Sequence, residues 1–171
     1  MSAKTVLVVD DIPLMRTMLG KFLAMIEHRS LAREGCELRI VEARDGVEAL
    51  QKTREHAVDL IFLDLMMPAM DGVTFLEKLK AEPASAGIRV VVTTALAEAS
   101  ALARARELGA DSFIRKPYTL DAIEVELRKS ICPDPRDEDL TGRVDAEAGK
   151  GGEGTPLTDV AIGDTVSRQR S

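Results

Sequence analysis

Five polar side chains stand where apolar runs stop. Asp10 and Asp11 follow Thr5-Val6-Leu7-Val8-Val9, and Asp64 follows Leu60-Ile61-Phe62-Leu63. Thr94 closes the run that begins at Ile88, and Lys116 closes Ser112-Phe113-Ile114-Arg115. An ionised carboxylate needs no base to act as a nucleophile, and it can attack a phosphoryl group to give an acyl phosphate. That transfer depends on positioning and charge neutralisation more than on elaborate covalent chemistry. Three carboxylates in one crevice repel one another unless a cation neutralises them. All-oxygen ligation with few protein groups suits Mg²⁺, which keeps several of its waters. Lys116 would supply a second positive charge, and Thr94 a hydroxyl able to donate to a phosphoryl oxygen. Each residue alone has a plainer reading, since Asp at a strand end commonly serves a turn or a helix cap. Their joint placement, each at a strand end, is what points to chemistry.

The elements that must position them follow from the apolar pattern. The runs at 5–9 and 60–63 are continuously apolar and read as strands buried on both faces, and Ile88 to Val92 reads as a further apolar strand. Leu38 to Ala43 alternates in part and reads as an edge strand, and 112–116 is a fifth strand stopped by Pro117. Between them lie amphipathic stretches. Met15, Met18, Leu19, Phe22 and Ile26 mark the first helix, begun at Pro13. It is expected to run on through Ala32-Arg33-Glu34 to a cap at Gly35, with the charged end 27–34 a solvated extension and His28 on the surface. Val47, Leu50 and Ala57 line a second helix, Val73, Leu76 and Leu79 a third, and Ala101, Leu102, Ala105 and Leu108 a fourth. Thr119 caps a last helix carrying Leu120, Ile123 and Leu127.

Fivefold strand–helix alternation implies an α/β fold with a parallel sheet and helices on both faces. In a flavodoxin-like, doubly wound sheet of order 2-1-3-4-5, the first and third strands adjoin at the switch point, and all carboxyl ends share one edge. Asp10, Asp11, Asp64, Thr94 and Lys116 then meet there.

Composition narrows the alternatives. A net charge of −6 and a pI near 5.1 disfavour DNA as a partner. No apolar run approaches the ~20 residues that span a bilayer, and the N-terminus leads into a strand without a signal-peptide core. Cys36 and Cys132 form no metal or redox spacing and read as reduced thiols of a cytoplasmic protein. Residues 133–171 hold six of the twelve Gly, no aromatic, and nine acids against five bases. That composition cannot offset its ordering entropy, so a disordered acidic tail is expected there, after a folded domain over 1–132.

Val9-Asp10-Asp11, Asp64-Leu65-Met66-Met67-Pro68-Ala69-Met70-Asp71-Gly72, Thr94-Ala95 and Lys116-Pro117 together closely resemble the receiver domain of two-component response regulators, over roughly Lys4 to Ile131. The resemblance implies a single-domain, chemotaxis-type receiver with Asp64 as phosphoacceptor. It implies Asp11 as direct Mg²⁺ ligand, Asp10 as a mainly water-mediated one, and the Met66 backbone carbonyl completing the set with Asp64. Thr94 corresponds to the switch hydroxyl, Lys116 to the family's lysine, and Phe113 to the rotating aromatic. The Lys116-Pro117 bond is expected to be cis. The implied partners are a histidine kinase or histidine phosphotransfer protein upstream and a protein target docking on the face of helix 4, strand 5 and helix 5. No enzyme activity is implied beyond self-catalysed phosphotransfer and autodephosphorylation.

Other readings compete. A phosphorylation-independent adaptor would leave the acidic cluster unused. A haloacid-dehalogenase-type phosphatase usually has an acid two residues after its nucleophile, where Met66 stands. Arg104, Arg106, Arg115 and Lys116 raise the possibility of an anionic nucleotide second messenger, although Arg104 and Arg106 share a helical face poorly. Met66 and Leu96 offer no hydrogen bond to orient a hydrolytic water, so slow dephosphorylation is expected.

Overall fold

The computed structural model describes residues 2–95 and 99–131. Expectations for Leu96, Cys132 and the segment 133–171 fall outside the described residues. The strands are β1 (Ser2–Val9), β2 (Cys36–Ala43), β3 (Leu60–Asp64), β4 (Arg89–Thr94) and β5 (Ser112–Arg115). The helices are α1 (Pro13–Arg29), α2 (Gly46–Glu55), α3 (Gly72–Ala81), α4 (Ala99–Glu107) and α5 (Leu120–Ile131). All strand pairs are parallel, in the order β2-β1-β3-β4-β5. This is the flavodoxin-like arrangement, with β1 and β3 adjacent at the switch point.

The two-residue period of the strands divides the core into two layers. Val6 and Val8 of β1, with Leu60 and Phe62 of β3, pack against Leu19, Leu23 and Ile26 of α1 and Ile123 and Leu127 of α5. Leu7 and Val9, with Ile61 and Leu63, face Ala49 of α2, Phe75, Leu76 and Leu79 of α3, and Ala105 of α4. β3 is buried at every position, which is why the four residues before Asp64 are all apolar.

The end of the first helix differs from the sequence expectation. α1 stops at Arg29, where the Ser30 hydroxyl and backbone N–H both bond the Ile26 carbonyl. A separate 3₁₀ turn, Leu31–Glu34, follows and closes on Gly35 in the left-handed region at φ 74°. His28, Arg29, Ala32, Arg33 and Glu34 are exposed, as expected, but the stretch is also tied to α5. Leu31 is fully buried, Arg29 and Ser30 bond Glu124, and Arg128 of α5 holds Glu34 through two bonds of 3.0 Å. The charges that look solvated in sequence are the complement of charges on α5, about ninety residues away. In α2 the buried side chain is Ala49, with Leu50 half-buried, while Val47 is exposed. Asp45 caps the helix through Glu48 N–H and sets its rotation.

Candidate functional site

Asp10 lies one residue beyond β1, Asp64 ends β3, and Lys116 lies one residue beyond β5. The sheet order therefore brings together residues 54 and 106 positions apart in the chain. Lys116 Nζ donates to Asp10 Oδ2 at 2.6 Å and to Asp64 Oδ2 at 2.8 Å. The other oxygen of each carboxylate accepts a local backbone N–H: Ile12 to Asp10 Oδ1 at 2.9 Å, and Met66 to Asp64 Oδ1 at 3.2 Å. Both aspartates are buried, at 4% and 6% exposure. Asp11 is half-exposed and makes no side-chain hydrogen bond or ion pair among the described residues. One oxygen from each of Asp10, Asp11 and Asp64 falls within 4.8 Å of the others. That set of oxygens, with one carboxylate unspent, fits a divalent cation.

Burial pushes the Asp64 carboxyl above its usual value, against the pull of Lys116 and the Met66 N–H. Burial opposes the charged form of Lys116 too, but its bonds to Asp10 and Asp64 outweigh this and raise it. Above the cluster opens a cavity of about 510 Å³, walled by Ile12, Met15, Met66, Ala95 and Pro117. Met66 is 63% exposed at its mouth.

The loop after Asp64 is shaped by close approach. A Cβ at Gly72 would lie 2.3 Å from the Asp64 carbonyl oxygen and 2.7 Å from Leu65 Cα, both backbone, so only glycine fits. Gly72 N–H bonds the Leu65 carbonyl at 3.0 Å, and Asp71 caps α3 through Thr74 N–H. Ala69 takes φ 64° to turn the chain back. The Lys116-Pro117 bond is cis, as expected.

Thr94 ends β4 with its hydroxyl buried and without a hydrogen-bond partner among the described residues. Phe113 is half-buried on β5, opposite Val92. Of the basic residues considered for a nucleotide, Arg106 and Arg115 line one cavity of about 390 Å³, while Arg104 and Lys116 are engaged with carboxylates. Arg104 pairs with Glu77 and Glu107, the Arg106 guanidinium lies over the Phe113 ring, and Lys116 is committed to the two aspartates.

Two supporting residues escaped the sequence reading. Arg16 donates to the Asp10 backbone carbonyl at 2.7 Å and to Glu42 at 3.2 Å, fixing the end of β1 to β2. Tyr118 is buried edge-on against Phe22, and burial with the nearby Asp10 and Asp64 charges pushes its phenol up to about 12. Only its being the chain's single tyrosine, directly after Lys116-Pro117, could have drawn notice.

The open parallel sheet thus gathers three carboxylates and a lysine at its switch-point edge, the layout of an α/β module with a cation-fitting acidic cluster. The chain belongs to the response regulator receiver domain family, whose model matches residues 6–128. It is 33% identical over 129 residues to the chemotaxis protein CheY of Bacillus subtilis (strain 168), covering 75% of this chain and 98% of that protein. Among solved structures it resembles the receiver domain of a signal transduction histidine kinase from Syntrophus aciditrophicus, with TM-score 0.64 and 25% identity, over 88% of this chain and 99% of that one. It also shares the fold of the receiver domain of a sensor histidine kinase from Pseudomonas aeruginosa PAO1, a structure with magnesium coordinated in its active-site cleft. There the TM-score is 0.64 at 19% identity, over 75% of this chain and 98% of that one. Receiver domains are the phosphoacceptor signalling modules of two-component systems. No helix among the described residues is long and apolar enough to cross a membrane.

Proposed function

We propose that the chain is a single-domain response regulator that accepts a phosphoryl group on Asp64 from a histidine kinase or histidine phosphotransfer protein. The observation that carries this reading is the lysine bridge: one buried ammonium holds Asp10 and Asp64 oriented while Asp11 stays unspent beside them. An Asp64 carboxylate oxygen forms the new O–P bond as the donor's P–N bond breaks, and the electron pair leaves on the imidazole nitrogen. Mg²⁺ held by Asp10, Asp11, Asp64 and the Met66 carbonyl would supply charge neutralisation for the transferring oxygens. Lys116 already points at Asp64 and meets the added charge. The buried Thr94 hydroxyl gains the partner it lacks by donating to a phosphoryl oxygen. Phe113, on the same sheet face as Thr94, then repacks. The face of α4, β5 and α5 thereby changes its affinity for a downstream protein. Residues 1–132 form the receiver on this reading, and neither DNA binding nor membrane insertion is part of the function.

Intact mass after incubation with Mg²⁺ and acetyl phosphate tests the reading. One phosphoryl group is expected on the wild type and none on Asp64→Asn or with EDTA. Absence of uptake by the wild type, under conditions that label a control receiver, overturns it.

A further inference from the structure

Thr94 shares its sheet face with Val90 and Val92, which pack toward α3 and α4, and Phe113 of β5 packs against the same layer. The register pairs Val92 with Phe113 and Thr94 with Arg115, so Thr94 and Phe113 are diagonal neighbours. Both line a cavity of about 390 Å³ whose other walls include Leu102 and Arg106, one turn apart on α4. Arg106 is exposed, with its guanidinium 4.9 Å from the centre of the Phe113 ring. Among the described residues it makes no ion pair, whereas Arg104 on the same helix engages two carboxylates. The ring is the partner of Arg106. A cation over an aromatic face is attracted by the ring quadrupole, and moving the ring away forfeits that attraction.

We propose that Arg106 is a positioning residue that latches Phe113 to α4 in the unphosphorylated protein, setting how readily the Thr94–Phe113 pair changes state. The inference rests on the Asp64 phosphoacceptor reading. When the Thr94 hydroxyl turns to a phosphoryl oxygen, the cavity between the two side chains changes shape, and Phe113 moves to fill it. Leaving the guanidinium is then part of the cost of activation. A partly exposed contact of this kind is worth about a two- to fivefold change in population.

The test uses the full-length wild type and the variants Arg106→Gln, Arg106→Lys, Phe113→Leu and the Arg106→Gln/Phe113→Leu pair. Beryllofluoride with Mg²⁺ serves as the phosphoryl mimic, and its apparent Kd is measured by calorimetry. Phe113 ring signals are followed by NMR before the mimic is added. Arg106→Gln is expected to tighten beryllofluoride binding about two- to fivefold and to shift the resting Phe113 ring signals. Arg106→Lys, which keeps the cation, is expected to stay near wild type in both. In the Phe113→Leu background, Arg106→Gln should change nothing. A direct electrostatic role of Arg106 toward the anion predicts the opposite sign: weaker binding in Arg106→Gln whatever stands at 113. That result overturns the latch, as does an unchanged Kd. If the wild type itself fails to bind beryllofluoride, the phosphoacceptor reading fails. The ring signals still decide the latch as a resting contact, and identical signals in wild type and Arg106→Gln overturn it.

Discussion

The two sides of the carboxyl edge are bonded very differently. Around Asp10, Asp64 and Lys116, each carboxylate oxygen of the buried pair has a partner, at 2.6 to 3.2 Å. Around Thr94 and Phe113, a hydroxyl is buried without a hydrogen-bond partner among the described residues, a cavity adjoins it, and the aromatic ring is held by one cation from another helix. The first side is over-determined, with each oxygen held by a named donor. The second is under-determined, so a modest new interaction can tip it. Chemistry requires fixed reacting groups, while a switch requires two packings close in free energy. The fold supplies both within one sheet edge.

The largest effect should come from breaking the saturated side. Removing Lys116 leaves two buried carboxylates facing each other, and losing one partner of a buried charge network costs about 3–5 kcal/mol. Lys116→Met is expected to lower stability by that order in EDTA, read by urea unfolding, with Mg²⁺ restoring part of it. Equal losses with and without Mg²⁺ would mean that the aspartates do not share a cation. A pH series probes the same bridge. The folded Lys116 is raised above its ordinary value of 10.5, so its contribution to stability is fully present below that pH. It is lost as pH rises through the higher folded value. Wild type should therefore lose stability above pH 10.5 by a step that Lys116→Met lacks, and identical alkaline limbs would remove the bridge from the account.

The loose side should respond in the opposite sense. Thr94→Val replaces an unpartnered buried hydroxyl with a methyl of similar size, and is expected to leave the resting protein as stable or up to about 1 kcal/mol more so. The same change should weaken beryllofluoride binding, because the hydroxyl is lost where the anion needs it. A clear loss of resting stability would show that Thr94 is satisfied after all, and the contrast between the two sides would fall.

The smallest effect concerns water at the mouth. Met66 is exposed above Asp64 and has no strong donor or acceptor on its side chain. The aspartyl phosphate is expected to last minutes or longer, and Met66→Asn to shorten its life severalfold, both read by loss of label over time. A wild-type half-life of seconds contradicts this.

Much of the site was legible in the chain. Asp10, Asp64, Thr94 and Lys116 announce themselves because a buried strand must be apolar, so a polar residue at its end stands out. Asp71 and Gly72 are legible as a cap and a turn. That Gly72 touches the backbone of Asp64 and Leu65 is a matter of close packing, which no turn signal encodes. The sequence by itself determined the parallel α/β class, the strand ends and the residue types gathered there, because periodicity and turn chemistry are local. The tertiary structure alone decided which oxygens Lys116 bridges, that Arg106 finds an aromatic ring instead of a carboxylate, and that Arg29 and Glu34 meet α5. Those outcomes depend on the distance and direction between groups far apart in the chain, which only the packing of both sheet faces fixes.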